Sequence, residues 1–302
     1  MTLAPAPPRP ATAVGAGAVG AGAVGAGARA RADLRDRAPD LLERLRSPGT
    51  PRPVVDGGLA GGLRAWLEDV AAAAGRDGGG ADLPGRGRPA AQVVVRDGAL
   101  VSTGEGGRLR PWTLSDLRSS LTRTIFRLVT TGAALRHPLD DALCALSVTD
   151  RGDDVLEMVR RLGGRDRAAL RAFARARASS IQAQWRPVPP AWLPRTGERL
   201  RVPLAGGAVS LTSTADLVVG RPSDGRSSVC LVRLPARGAP GVGDAAARTR
   251  RALALAETLR SGAPPLRVAT YDPRTGQVAC DEADGAFLTA AVLDVVGALE
   301  RR

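Results

Sequence analysis

The 302-residue chain contains no lysine and no asparagine, has a single histidine, and carries only eight aromatic residues. Without lysine, no side-chain amine is available to position a water, and every basic side chain apart from His137 is arginine. One histidine limits Ser-His-Asp and Cys-His catalysis to His137, whose context LRHPLDD reads as a helix start. Three cysteines, far apart and without CxxC or Cys/His spacing, give no disulfide framework and no zinc or iron-sulfur site. Few rings also argue against a single-strand platform built on stacked bases. Isoleucine occurs only at Ile125 and Ile181 while Ala, Gly, Arg and Val abound, a bias typical of GC-rich coding.

What is present allows folding. An apolar fraction of 44% over 302 residues can fill a sizeable core. The net charge of +13 points to anionic partners, nucleic acid first, although arginines solvated beside Asp and Glu are the commoner outcome for charge runs. Nothing resembles a signal peptide, and the thrice-repeated AVGAG of residues 13–28 is glycine-dense and too short for a bilayer. A cytoplasmic location with no membrane partner is the expectation.

Residues 1–50 read as a disordered low-complexity tail, in which 38–46 could form a short helix. Residues 51–165 read as mainly helical. An amphipathic helix is predicted over 63–74 and a small hairpin over 92–102, turned at Asp97-Gly98. Thr113 N-caps a helix that Gly132 ends, and further helices begin at His137-Pro138 and Asp150. Residues 166–302 change character after a helix over 166–184. Strands are predicted over 198–204, 208–219 and 227–234, a helix over 245–260, strands over 266–272 and 277–280, and a terminal helix over 286–300.

The stretch RVPLAGGAVSLTSTADLVVG, then SSVCLVRLPARG, then a helix ending ALAETLRSG resembles the actinobacterial RecB-like branch of the PD-(D/E)XK nuclease superfamily. The resemblance implies an α/β fold with a restriction-endonuclease-like αβββαβ core and a helical N-terminal elaboration. It also implies DNA as ancestral substrate and Mg²⁺ or Mn²⁺ as ancestral cofactor. In that family an Asp ending the second strand and an acid-x-Lys ending the third hold the metal. Asp216 takes the first place, and Glu198 matches an acid on the first strand, although a strand-edge residue paired with Arg195 or Arg199 is the expected reading of that glutamate. The acid and lysine places fall on Arg233 and Pro235, and a two-residue slip to Leu231 and Arg233 restores neither. The family's later Gln-x-x-x-Tyr falls on Thr249 and Leu253.

One carboxylate binds Mg²⁺ weakly, and an arginine in place of a ligand repels it. Loss of hydrolysis with retention of the fold follows, together with binding to DNA or to a DNA-processing partner. Two alternatives stand beside this. One is a residual nuclease using Glu198 and Asp216, with a relocated ligand at Asp224 or Asp244. The other is a protein-interaction module with no nucleic-acid role. Arg167, Arg171 and Arg175, four residues apart on one helix, are the candidate phosphate contacts. The GVGDAA segment at Gly241 fits GxGxxA, but the intervening Pro235 to Pro240 argues for an ordinary helix start rather than a dinucleotide site. Trp185 and Trp192 are expected in the core.

Overall fold

A computed structural model describes residues 58–77, 93–101, 112–149, 152–220, 222–223, 226–227, 229–235, 241 and 243–301. The predicted tail and its short helix lie outside the described residues. In chain order the elements are α1 (Leu59–Asp77), β1 (Val93–Arg96), β2 (Ala99–Val101), α2 (Leu114–Thr130), α3 (Pro138–Ser147), α4 (Gly152–Arg161) and α5 (Gly164–Gln184). They continue with β3 (Arg195–Leu204), β4 (Val209–Val219), the short pair β5 (Pro222–Ser223) and β6 (Arg226–Ser227), and β7 (Cys230–Arg233). The chain closes with α6 (Asp244–Ser261), β8 (Arg267–Tyr271), β9 (Val278–Glu282) and α7 (Gly285–Glu300).

Local chemistry accounts for several boundaries. The Asp97-Gly98 turn has positive φ at both residues, 50° and 77°, as a two-residue hairpin turn between right-twisted strands requires. At the start of α2 the Thr113 side chain accepts from the Asp116 amide at 3.2 Å, and the Asp116 carboxylate accepts from the Thr113 amide at 2.9 Å. This capping box satisfies two of the helix's orphan donors. Thr113→Ala is therefore expected to cost about 1 kcal/mol, read from the urea midpoint. Gly132, at φ 81°, ends the same helix.

The molecule is mixed α/β, with a sheet of order β2-β1-β4-β7-β8-β9 and β3 paired to β4. β3, β4 and β7 run antiparallel in succession. α6 then crosses over, so that β8 lies parallel to β7.

Strand β4 is the pivot. β3 occupies one of its edges, from Leu204 opposite Val209 to Arg195 opposite Val218. The other edge is shared. β1 runs parallel to its first residues, with Arg96 opposite Thr212, and β7 runs antiparallel to its last, with Val232 opposite Leu217. Ser213, Thr214, Ala215 and Asp216 therefore face a gap into which the carboxyl ends of β1 and β7 both open.

Helices cover the two faces unequally. One core joins α1, α6 and α7 to Val93, Val95, Leu200, Val202, Leu204, Leu211 and Ala215. The other joins α2 to α5 to Leu217, Val219, Cys230, Val232 and Tyr271, around an aromatic trio. In that trio the ring centroids of Phe126 and Trp185 are 5.1 Å apart, and those of Trp185 and Tyr271 5.2 Å apart. No residue of β1 or β3 belongs to this second core, so that part of the face carries no apolar layer among the described residues. Segments from residues 51–165 thus contribute to both cores alongside β3 to β9. Among the described residues no helix is long and apolar enough to cross a membrane.

Candidate functional site

The gap in β4 brings together residues that lie far apart in sequence. Asp216 is fully buried there. Arg123, from α2, donates through Nη1 to both of its oxygens, at 3.1 and 2.9 Å, and through Nη2 to the Pro235 carbonyl at 2.9 Å. The Leu234 amide donates to Asp216 Oδ2 at 2.8 Å, and Arg233 Nη1 reaches the same oxygen at 3.4 Å. Arg127, one helical turn beyond Arg123, places Nη2 at 3.8 Å from Oδ1.

Arg233 also joins a second carboxylate. Its Nη2 donates to Asp97 Oδ2 at 3.2 Å, while Ser213 donates its hydroxyl to Asp97 Oδ1 at 2.7 Å. Asp97 sits in the hairpin turn at the end of β1, tied there by its amide to the Thr212 carbonyl at 3.1 Å. Two acids therefore face each other across the gap with a guanidinium between them.

The electrostatic balance favours a further anion. Arg123, Arg127 and Arg233 converge on Asp97 and Asp216, leaving a cationic surplus. Burial lowers the pKa of Arg127. Asp216 opposes that shift, while Arg123 and Arg233 add to it. A guanidinium keeps its proton regardless, so the cost appears as electrostatic strain that another anion would relieve. Arg127 is also the least satisfied of the three. Its Nε is buried without a hydrogen-bond partner, and its approach to Asp216 is too long for a direct hydrogen bond.

Room for Arg127 comes from Gly197. This residue lies between the pairs Thr196–Leu217 and Glu198–Ala215, opposite Asp216, and has φ 67°. A Cβ there would fall 2.7 Å from Arg127 Cζ and 2.9 Å from each terminal nitrogen. The alternation of β4 also slips here: Ala215 and Val218 join the first core, and Leu217 and Val219 the second.

The structure does not bring Glu198 to Asp216. Glu198 pairs laterally with Ala215, on the face covered by α6, where Arg260 Nη1 holds its Oε1 at 2.7 Å and Arg195 Nη1 its Oε2 at 3.1 Å. Arg260 also grips the fully buried Glu257 at 2.8 Å. Burial works against the Arg260 charge, but the hydrogen bonds and field of Glu257 and Glu198 outweigh it and raise its pKa. Of the relocated ligands considered, Asp244 lies exposed in the first turn of α6 and Asp224 lies outside the described residues.

The remaining sequence candidates are spread out. Arg233 borders Asp216 directly, whereas Pro235 meets the cluster only through its carbonyl, which accepts from Arg123. On α5, Arg171 and Arg175 are exposed, whereas Arg167 donates to the Val159 and Arg160 carbonyls at 3.3 Å and so caps the end of α4. Trp185 is buried in the aromatic trio, and Trp192 packs half-buried against the second core. Gly241 is buried against Asp272, whose carboxylate is held by the Arg274 amide and guanidinium, both at 2.9 Å. Gly241 is thus packed in, while Gly243 at the start of α6 is exposed.

These contacts do not fit a divalent cation. Mg²⁺ and Mn²⁺ need several free oxygen ligands, whereas both oxygens of Asp216 are occupied by cationic or amide donors. No group of three or more His, Cys, Asp or Glu side chains disposed to hold a metal occurs among the described residues.

Sequence reasoning missed Asp97, Arg123 and Arg127. Asp97 was legible only as a turn residue, because its pairing depends on the long-range β1–β4 contact. The i, i+4 spacing of Arg123 and Arg127 beside the buried stripe Leu117, Leu121 and Ile125 was the available signal. No protein-family model, curated protein or solved structure matched the chain.

Proposed function

We propose that this protein is a catalytically degenerate member of the PD-(D/E)XK nuclease type that binds nucleic acid without cutting it. The observation that carries this reading is the state of Asp216. The carboxylate that would hold a metal in such an enzyme is buried under Arg123 and Arg233, with Arg127 close by. The element order from α5 through β3, β4, β7, α6 and β8 supports the αβββαβ core that the sequence resemblance implies. Arg233 replaces a mobile, exchangeable cation by a covalently attached one. Such a charge can stabilise two carboxylates but cannot lower the pKa of a bound water or shift to stabilise a leaving oxygen.

The test is incubation of the purified protein with single- and double-stranded DNA and RNA in Mg²⁺ or Mn²⁺. No cleavage is expected, while binding to the same substrates should appear at low salt and weaken steeply as salt rises. Cleavage that disappears in Asp216→Asn would overturn the catalytic part of the reading. Absence of binding at low ionic strength would overturn the nucleic-acid part.

A further inference from the structure

Among the described residues, the second face of the sheet beside the gap has no apolar cover and is lined with arginine. Along β3, Leu200, Val202 and Leu204 point into the first core, so Arg199 and Arg201 point to the opposite face, where both are exposed. Arg201 lies opposite Thr212 of β4, and Thr212 lies beside Arg96 of β1, also exposed. These three residues form a row across the sheet. Arg199 lies opposite Thr214 in the adjacent row. Arg201 is further positioned by its Nε donating to the Ser210 hydroxyl at 3.1 Å.

The same line continues into the gap. Two residues before Arg199 comes Gly197, and in the space its missing side chain leaves sits the Arg127 guanidinium. Strand rise spaces alternate residues about 6.8 Å apart, comparable to the separation of neighbouring phosphates along one nucleic-acid strand. Arg201 and Arg199 therefore leave the strand at a matching repeat, and the Arg127 guanidinium sits at the next such position, with the Thr214 hydroxyl in the same region while Thr212 Oγ1 donates to the Val95 carbonyl at 3.5 Å. The only carboxylates on β1, β3 and β4 are Asp216, neutralised by arginine, and Glu198, on the other face.

From this juxtaposition we infer that the face formed by Arg96, Arg199 and Arg201, ending at Arg127, is a track for the phosphate backbone of one nucleic-acid strand. The inference rests on the nucleic-acid reading above and gives it a location. No aromatic side chain belongs to β1, β3 or β4, so the track holds phosphates and hydroxyls without base stacking, and binding is indifferent to sequence.

The experiment uses the full chain, a fluorescein-labelled oligodeoxythymidine and anisotropy across a salt series. Substituting Arg96→Gln, Arg199→Gln and Arg201→Gln together is expected to flatten the log-log salt slope by about 2 units, at about 0.7 per single-strand phosphate lost. All three side chains are exposed, so the circular dichroism spectrum should match wild type and the melting curve should shift only by the loss of the Arg201–Ser210 hydrogen bond. Arg171→Gln with Arg175→Gln, which alters the exposed row on α5, should leave the slope unchanged. Binding that survives the sheet substitutions, or that is lost instead in the α5 pair, would overturn the track while leaving nucleic-acid binding intact. Equal competition by polyglutamate would overturn the assignment to a phosphate backbone. No binding by the wild type would instead sink the function proposed above.

Discussion

Asp216→Ala is expected to destabilise the fold by about 3–5 kcal/mol, the range seen when one partner of a buried ion pair is removed and the other is left uncompensated. The reason lies in the charge around it. Arg123, Arg127 and Arg233 approach a fully buried carboxylate, and their own side chains are 20%, 33% and 13% exposed. Without Asp216, Asp97 is the one carboxylate among the described residues left to oppose their mutual repulsion, and the Leu234 amide loses its acceptor. A carboxylate kept to bind a metal behaves differently, because its removal in metal-free buffer relieves repulsion among ligands. The measurement is the urea midpoint of variant and wild type without metal. Pairing Asp216→Ala with Arg123→Met should recover part of the loss, since the double variant removes the guanidinium that made both contacts to the carboxylate. A single variant within about 1 kcal/mol of wild type would show that the arginines are solvated rather than held.

The elements were more legible than the site. Alternating Val and Leu between glycine-bearing turns marked β3 and β4 to within a few residues, and the Thr113 cap, the Asp97-Gly98 turn and the Gly132 stop each follow from local backbone chemistry. Those signals act over a few residues. The site depends instead on which strands meet and on which face each side chain falls. Glu198 was a candidate partner for Asp216 only through the resemblance, and the alternative of pairing with a neighbouring arginine is the one seen: lateral pairing with Ala215 sends it to the α6 face, where Arg195 and Arg260 hold it. The split edge of β4 is not encoded in β4 itself. It follows from β1 reaching only to Thr212 and β7 beginning opposite Val219, lengths set by turns elsewhere in the chain.

Arg233 and Pro235, at the places where the resemblance would put an acid and a lysine, were visible from the start, but the consequence of the arginine was only half legible. A cation at position 233 argues against a metal on charge grounds alone. The sequence could not show that Asp97 supplies a second carboxylate, so that Arg233 bridges two acids rather than merely opposing one. Nor could it show that Arg127, 33% exposed at the edge of the gap, stops 3.8 Å short of Asp216.

Gly197→Ala is the second large effect, and it tests how that surface is built. At φ 67° an alanine pays the left-handed backbone penalty of about 1–2 kcal/mol. Its methyl would also lie 2.7 Å from Arg127 Cζ, inside any permitted contact, so the guanidinium must leave. Arg127 is partly exposed and can swing outward, which keeps the loss of its long contact with Asp216 to on the order of 1 kcal/mol or less. The expected total is thus about 1–3 kcal/mol, with a weaker grip on oligonucleotide as Arg127 departs from the end of its row. A double-mutant cycle with Arg127→Ala separates the two causes. If the methyl acts by expelling Arg127, the combined variant should lose less than the sum of the single losses, because Gly197→Ala then adds only its backbone term, and Gly197→Ala should not weaken oligonucleotide binding further once Arg127 is gone. Strict additivity in both stability and binding would mean that Gly197 serves the turn of the backbone alone and that Arg127 does not occupy the space its missing side chain leaves.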